Sequence, residues 1–369
     1  MNDKLSENPG RLASRLLPHY GNVELYKAVD DPAKLLVENH ITPDSLIKLD
    51  ANENPFGTTN SVSNLFATRS DISIYPDAEQ SVLRDALSKY TKIEKDQIVA
   101  GAGSDELIDL ITRLFVSPGD SVMISRPTFG MYSFSASVSG ADVIDVPRNI
   151  NDFSLDLDGI LNHINEVKLV FISSPNNPTG NVTDLKDLKQ ILNTGVPLVV
   201  DEAYVEFSDR DCTELLDEYP NLMILRTFSK WAGLAGLRVG YGLFPKDVAK
   251  ILMRIKPPYS VGTLAQTAAT TALQNMPESD QQINTIISER SKVWSSLRGM
   301  PKLKVYPSEG NFFLVKILNT NAKDVKSKLL ERGISVRYFD DNLLEDCLRI
   351  SIGLPDQNIK LLKELESLI

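Results

Sequence analysis

The sequence predicts an α/β protein: a large domain with a mainly parallel sheet covered by helices, joined to a smaller α+β domain. Three observations predict it. At 369 residues the chain is longer than one core usefully fills, so about two domains are expected. The apolar runs Ser121–Ser125, Lys168–Ser173, Pro197–Val200, Leu222–Leu225 and Leu237–Leu243 are continuous rather than alternating, the pattern of strands covered on both faces. Helical or turn-rich stretches separate them, as a parallel α/β sheet requires.

Taken in order, residues 1–45 mix Pro, Gly, Asn and Asp with short apolar stretches and read as an irregular arm, of the kind that crosses to a partner subunit. From Ser81 the residues Val82, Leu83, Ala86 and Leu87 recur at helical spacing, followed by a short strand at Gln97–Ala100. Ser104 is expected as a helix N-cap, with Asp105 and Glu106 in the first turn and Leu107, Ile108, Ile111, Leu114 and Phe115 as the buried stripe. The five apolar runs then supply the sheet. Beyond Val261 a long helical region runs towards Leu297, broken near Pro277. Asn311–Ile317, Ile334–Phe339 and Leu348–Ile352 read as short strands, with helices around Lys323–Glu331 and Asp356–Ile369. The expected division is an arm at 1–45, a large domain at 70–265, and a small domain built from 46–69 and 266–369.

Composition excludes several classes. Hydrophobic residues at 42% and charged residues at 24% describe an ordinary folded, soluble chain. Lys and Arg number 39 against 49 Asp and Glu, a net charge of −10, so no general nucleic-acid surface is expected and any cationic site must be local. No apolar run approaches ~18 residues, so no membrane span is expected. Met1–Gly10 is polar, without the apolar stretch of a secretory signal, which makes the cytoplasm the expected compartment. Cys212 and Cys347 are too few and too far apart for a disulfide framework or thiolate metal site, and His19, His40 and His163 lack ligand-like spacing. No metal is expected.

In an open parallel sheet, ligands lie beyond the carboxyl ends of the strands, so the polar residues that terminate the apolar runs carry the information. One run ends in Ser174-Pro175-Asn176-Asn177-Pro178-Thr179-Gly180, the next in Asp201-Glu202-Ala203-Tyr204, and the next in Arg226-Thr227-Phe228-Ser229-Lys230. An amide, a carboxylate with a phenol, and a lysine with a hydroxyl would thus meet in one crevice. A lysine beside a ring-binding apparatus can form an imine with an aldehyde cofactor, and an aspartate facing a pyridine nitrogen keeps it protonated.

With these strand ends the sequence resembles the fold type I pyridoxal-phosphate enzymes, in their class II aminotransferase branch, and within it the histidinol-phosphate aminotransferases. The resemblance covers nearly the whole chain. It runs through Leu49-Asp50-Ala51-Asn52-Glu53-Asn54-Pro55-Phe56-Gly57, Tyr75-Pro76-Asp77, Gly103-Ser104-Asp105-Glu106, Gly233-Leu234-Ala235-Gly236-Leu237-Arg238, Lys256-Pro257-Pro258-Tyr259, Asn311-Phe312-Phe313 and Leu348-Arg349-Ile350-Ser351. Ser260 departs from it, standing where the family commonly has Asn.

The resemblance implies pyridoxal 5'-phosphate as cofactor, with Lys230 as the Schiff-base lysine and the acid/base of the proton shift. It implies that Asp201 pairs with the pyridine nitrogen, that Asn177 and Tyr204 hold the ring O3', and that Phe129 stacks on the ring. Gly103, Ser104, Asp105, Ser229 and Arg238 would bind the cofactor phosphate, with Tyr75 reaching it from the other subunit of a homodimer. Arg349 would fork onto a carboxylate, Arg337 would meet a substrate phosphate, and Tyr20 of the arm would close over the substrate. The implied reaction passes an amino group between L-histidinol phosphate and 2-oxoglutarate, giving imidazole acetol phosphate and L-glutamate, in L-histidine biosynthesis. An aromatic amino-acid aminotransferase and a threonine-phosphate decarboxylase of the same fold are the alternatives.

Overall fold

The computed structural model describes residues 12–26, 28–38, 41–68 and 73–369; the polar start Met1–Gly10 and His40 lie outside the described residues. The strands, in chain order, are β1 Ile47–Leu49, β2 Ile98–Gly101, β3 Ser121–Ile124, β4 Asp142–Asp145, β5 Leu169–Ser173, β6 Leu198–Asp201, β7 Leu222–Thr227, β8 Gly240–Leu243, β9 Leu303–Val305, β10 Phe312–Ile317, β11 Ile334–Tyr338 and β12 Cys347–Ser351. Among the described residues they form two sheets, a seven-stranded one in the order β2-β8-β7-β6-β5-β3-β4 and a five-stranded one in the order β1-β11-β12-β10-β9.

In the larger sheet β4, β3, β5, β6 and β7 pair in parallel, while β8 runs antiparallel to β7 and β2. Both faces are covered, which is why the strands read as continuous apolar runs. Leu198, Val200, Leu222 and Ile224 point into one core cluster, and Val199, Met223 and Leu225 into another on the opposite face, as the two-residue period of a strand dictates. Leu107, Ile108 and Ile111 of the helix Gly103–Phe115 fill the second cluster, as expected. Burial of each such side chain contributes about 1.5–3 kcal/mol, well above the few tenths that helix propensity distinguishes.

The long helical region is two helices, Thr263–Gln274 and Met276–Arg298, and Pro277 sits in the first turn of the second, where its missing N–H leaves no bond unmade. Other expectations need correction. Ser104 is not the N-cap: the helix starts at Gly103 after Ala102, so Ser104 lies inside the first turn. The run Leu237–Leu243 is strand only from Gly240, because Ala235–Leu237 form a 3₁₀ turn and Arg238 takes a left-handed conformation at φ 51. Strands β1, β4 and β9 had no apolar run to announce them: β4 is a part-buried edge, Asp-Val-Ile-Asp, and the other two span three residues each.

The smaller sheet is antiparallel except where β1 joins it in parallel, Ile47–Leu49 beside Ile334–Val336. A segment that precedes the large sheet in sequence therefore ends in the second sheet. The core cluster of the larger sheet continues into β10, β11 and β12 through Phe312, Val315, Val336 and Leu348.

Candidate active site

Asp201 closes β6 and Lys230 follows β7, its immediate hydrogen-bonded neighbour, so both side chains leave the same end of the sheet. Asp201 is 3% exposed. It accepts hydrogen bonds from Tyr132 Oη at 2.7 Å and from the Ala203 N–H at 3.1 Å, and no cation pairs with it among the described residues. Burial pushes its carboxyl up to about 6, against those two donors. Lys230 is the opposite case. Its Nζ donates to the Ala51 carbonyl at 3.0 Å and lies 5.7 Å from the centre of the Tyr204 ring, with no ion pair among the described residues. Burial pulls the amine down to about 8, and the Arg349 guanidinium adds to the effect.

Tyr204 is buried and accepts from Asn52 Nδ2 at 3.0 Å. Asn177, past the end of β5, accepts from Arg349 Nη1 at 2.6 Å. Its neighbour Asn176 is occupied in holding the turn, donating to the Pro127 carbonyl at 2.9 Å and accepting from Thr128 Oγ1 at 2.8 Å. That pairing ties the β5 turn to the loop carrying Phe129, whose ring meets Tyr132 edge-on at 5.7 Å.

Beside Lys230, the buried Ser229 accepts from Thr227 Oγ1 at 3.0 Å and from Arg238 Nη1 at 3.4 Å. Arg238 Nη2 donates to Asp105 at 2.7 Å. Gly103, at φ 78, holds a conformation that L side chains rarely adopt, and a Cβ there would lie 2.6 Å from that Nη2. The first-turn N–H groups of the helix Gly103–Phe115 have no intrahelical partners, so a helix N-terminus, a hydroxyl and a guanidinium converge here. Tyr75 is 78% exposed and stacks on Tyr259 at 4.6 Å. Ser260 joins the same wall by donating to Glu106 at 2.8 Å.

Arg349 enters from the second sheet. Its Nη2 bonds the Asp50 carbonyl and its guanidinium lies 5.6 Å from the Phe312 ring centre, but its Nε is buried without a partner. Arg337 sits directly opposite Arg349 across β11 and β12, and donates to the Ala28 carbonyl at 2.8 Å. Two arginines on one cross-strand pair repel, an arrangement that favours an anion between them.

A buried carboxylate without a cation and a half-buried lysine without a carboxylate, among the described residues, leave adjacent strand ends. That pairing fits pyridoxal phosphate, whose pyridinium nitrogen answers the first and whose aldehyde answers the second, with the convergent donors at Gly103, Ser229 and Arg238 suited to its phosphate. Residues 44–364 match the family model "Aminotransferase class I and II". The chain belongs to this family. It is 46% identical over 341 residues to the histidinol-phosphate aminotransferase of Dehalococcoides mccartyi strain 195, covering 92% of this chain and 94% of that protein. It is 40% identical over 369 residues to that of Roseiflexus castenholzii, covering 97% and 99%. The crystal structure of histidinol-phosphate aminotransferase from Sinorhizobium meliloti in complex with pyridoxal-5'-phosphate superposes with a TM-score of 0.86 at 27% identity, covering 96% of this chain and 99% of that one.

Two tyrosines of the arm of this aminotransferase lie in different surroundings. Tyr20 packs against His19, ring centres 4.3 Å apart, and is 47% exposed. Tyr26 is the arm tyrosine that reaches the pocket, edge-on to Phe129 at 6.4 Å, with Arg337 and Arg349 close enough to act on its phenol. Sequence reasoning missed Tyr26, Tyr132 and Asn52. Tyr132 lies three residues after Phe129, at the start of the helix Met131–Val138; Tyr26 carried no signal, since nothing local distinguishes it from Tyr20.

Proposed function

We propose that this aminotransferase transfers an amino group between L-histidinol phosphate and 2-oxoglutarate, forming imidazole acetol phosphate and L-glutamate, in L-histidine biosynthesis. The observation that carries the cofactor chemistry of this reading is the opposed pair on neighbouring strand ends: among the described residues Asp201, held near 6, has no cation and Lys230, held near 8, has no carboxylate. Bound there, pyridoxal phosphate supplies an aldehyde that exchanges amines and a ring that takes up the electron pair of the substrate's Cα–H bond.

Lys230 would hold the cofactor through Nζ and, once freed, carry the proton away from the substrate Cα; a pKa near 8 leaves part of it neutral at working pH. Asp201 would keep the pyridine nitrogen protonated, and its bonds from Tyr132 and Ala203 fix its orientation. Asn177 and Tyr204 would hold the ring oxygen, and Phe129 would cover one ring face. Gly103, Ser104, Asp105, Ser229 and Arg238 would seat the cofactor phosphate. Arg349 would fork onto the carboxylate of 2-oxoglutarate or glutamate, a planar bidentate task, while Arg337 and Tyr26 would meet the phosphate of histidinol phosphate.

The reading includes a homodimer in which Tyr75 completes the neighbouring phosphate site. Ile74, Tyr75 and Val82, each more than half exposed around one cavity, support it as a surface suited to a second copy. The reading also includes a cytoplasmic enzyme; no helix among the described residues is long and apolar enough to cross a membrane. The division into 1–45, 70–265, and 46–69 with 266–369 is supported by β1 pairing with β11.

The test is an absorption spectrum of the purified protein with pyridoxal phosphate. Adding L-histidinol phosphate should abolish the visible band of the lysine-bound cofactor, and 2-oxoglutarate should restore it. A band that phenylalanine alone discharges would favour the aromatic amino-acid reading, and carbon dioxide release from threonine phosphate would favour the decarboxylase.

A further inference from the structure

Arg148 follows β4 and is 3% exposed, yet no carboxylate meets it among the described residues. Its guanidinium binds three carbonyls instead: Nε donates to Ser125 at 3.2 Å, Nη1 to Phe153 at 3.1 Å and Nη2 to Ser173 at 3.4 Å. Ser125 follows the last residue of β3 and Ser173 is the last residue of β5, so Arg148 bridges the two strand ends from which Phe129 and Asn177 are launched. Among titratable groups Tyr132 is its electrostatic neighbour, the same tyrosine that donates to Asp201.

The third acceptor reaches the other sheet. Phe153 is 2% exposed at a left-handed φ of 59, its carbonyl also accepts from Asn181 Nδ2 at 2.9 Å, and its ring packs 4.8 Å from Tyr306. Tyr306 belongs to a small cluster with Leu314 and Leu344 that packs against Phe339, and the guanidinium groups of Arg337 and Arg349 lie 5.7 and 5.9 Å from the Phe339 ring centre. A buried guanidinium lacking a counter-ion is costly, and the three carbonyls offset that cost only while all three segments stay in place. The charge therefore penalises any drift of the two loops relative to each other. Burial pulls Arg148 down only to about 10, so the charge persists at neutral pH.

We propose that Arg148 is a positioning residue which, by clamping the ends of β3 and β5 and the Phe153 loop, sets the places of Phe129, Asn177 and Arg349 around the cofactor. This rests on the aminotransferase reading above. Its test is steady-state kinetics and the circular dichroism of bound pyridoxal phosphate for Arg148→Met and Arg148→Lys holoenzyme, beside the melting temperature of each apo form. Arg148→Met should lower kcat/KM for both substrates by roughly 10- to 100-fold, mostly through kcat, as expected when reacting groups are misplaced by up to an ångström. The dichroism of the cofactor should weaken, and Arg148→Lys, which keeps charge but cannot span three carbonyls, should fall between. A Met variant that melts earlier yet keeps wild-type kcat/KM and dichroism overturns the proposal, because a purely structural tie predicts that outcome. Should the Met variant fail to accumulate, wild-type constants in the Lys variant overturn it equally. If the wild type binds the cofactor but does not turn over histidinol phosphate, the substrate reading fails instead, and the dichroism of the variants still decides for or against Arg148.

Discussion

Lys230 and Arg349 are both cations at one crevice, and the two regions that deliver them are built differently. Lys230 stands with Asp201 at neighbouring parallel strand ends, where neither charge has an ion-pair partner among the described residues. Arg349 stands in the antiparallel second sheet, where it has Asn177, the Asp50 carbonyl and two aromatic rings for company and Arg337 directly across. The strand-end region carries unfavourable electrostatics that a bound cofactor would relieve; the second-sheet region carries a packed recognition surface. Substitutions should therefore affect chemistry in the first region and substrate affinity in the second.

The largest effect is expected at Lys230. Lys230→Ala should lower kcat by at least about three orders of magnitude, since it removes both the amine that holds the cofactor and the base, and rapid mixing with L-histidinol phosphate would measure it. Turnover within about tenfold of wild type would break the comparison, because the strand-end region would then not carry the chemistry.

Asp201→Asn should cost roughly 100-fold in kcat and, without cofactor, make the protein more stable. The folded pKa of about 6 lies above the ordinary 3.8, so between those values the folded chain binds more protons than the unfolded one and stability falls as pH rises. Above pH 6 the penalty corresponds to roughly 3 kcal/mol. Calorimetry of the apo protein at pH 7 should show Asp201→Asn melting a few degrees higher, and the gain should vanish near pH 4. An apo variant less stable than wild type at pH 7 would mean that Tyr132 and Ala203 already satisfy the charge.

In the second-sheet region the two arginines should separate by substrate. Arg349→Lys should raise KM for 2-oxoglutarate by roughly 10- to 100-fold, the worth of a charge-assisted bidentate contact, with kcat less affected. Arg337→Ala should raise KM for histidinol phosphate about tenfold and leave 2-oxoglutarate nearly unchanged. Equal losses for both substrates would show one shared anion site rather than two.

The same contrast explains what the sequence made legible. Asp201, Ser229 and Lys230 each terminate a continuous apolar run, and strand burial is a local signal, so their convergence followed once the sheet was parallel. Arg349 and Arg337 could be placed on neighbouring strands, but their direct opposition depends on the register of β11 and β12, which no local pattern sets. Strand β4 stayed hidden because its edge position lets an Asp flank the apolar pair Val143-Ile144 on each side, and β1 because three residues are too few to show a period. Arg148 was invisible because its acceptors lie at the ends of β3 and β5 and on the Phe153 loop, which no local pattern announces.

The smallest effect sharpens the comparison at its most exposed part, the arm. Burial raises the Tyr26 phenol, with the charges of Arg337 and Arg349 pulling against it and that of Asp105 adding to it, and its ring lies edge-on to Phe129, whereas Tyr20 packs against His19 and is half exposed. Loss of one phenol hydrogen bond at this part-exposed position, where water can take the donor's place, corresponds to a change of roughly two- to tenfold. Tyr26→Phe should raise KM for histidinol phosphate within that range and leave the 2-oxoglutarate half-reaction alone, while Tyr20→Phe should change neither. The reverse result would mean that the arm moves on substrate binding by enough to exchange the two tyrosines, and the recognition surface would then be completed only in the loaded enzyme.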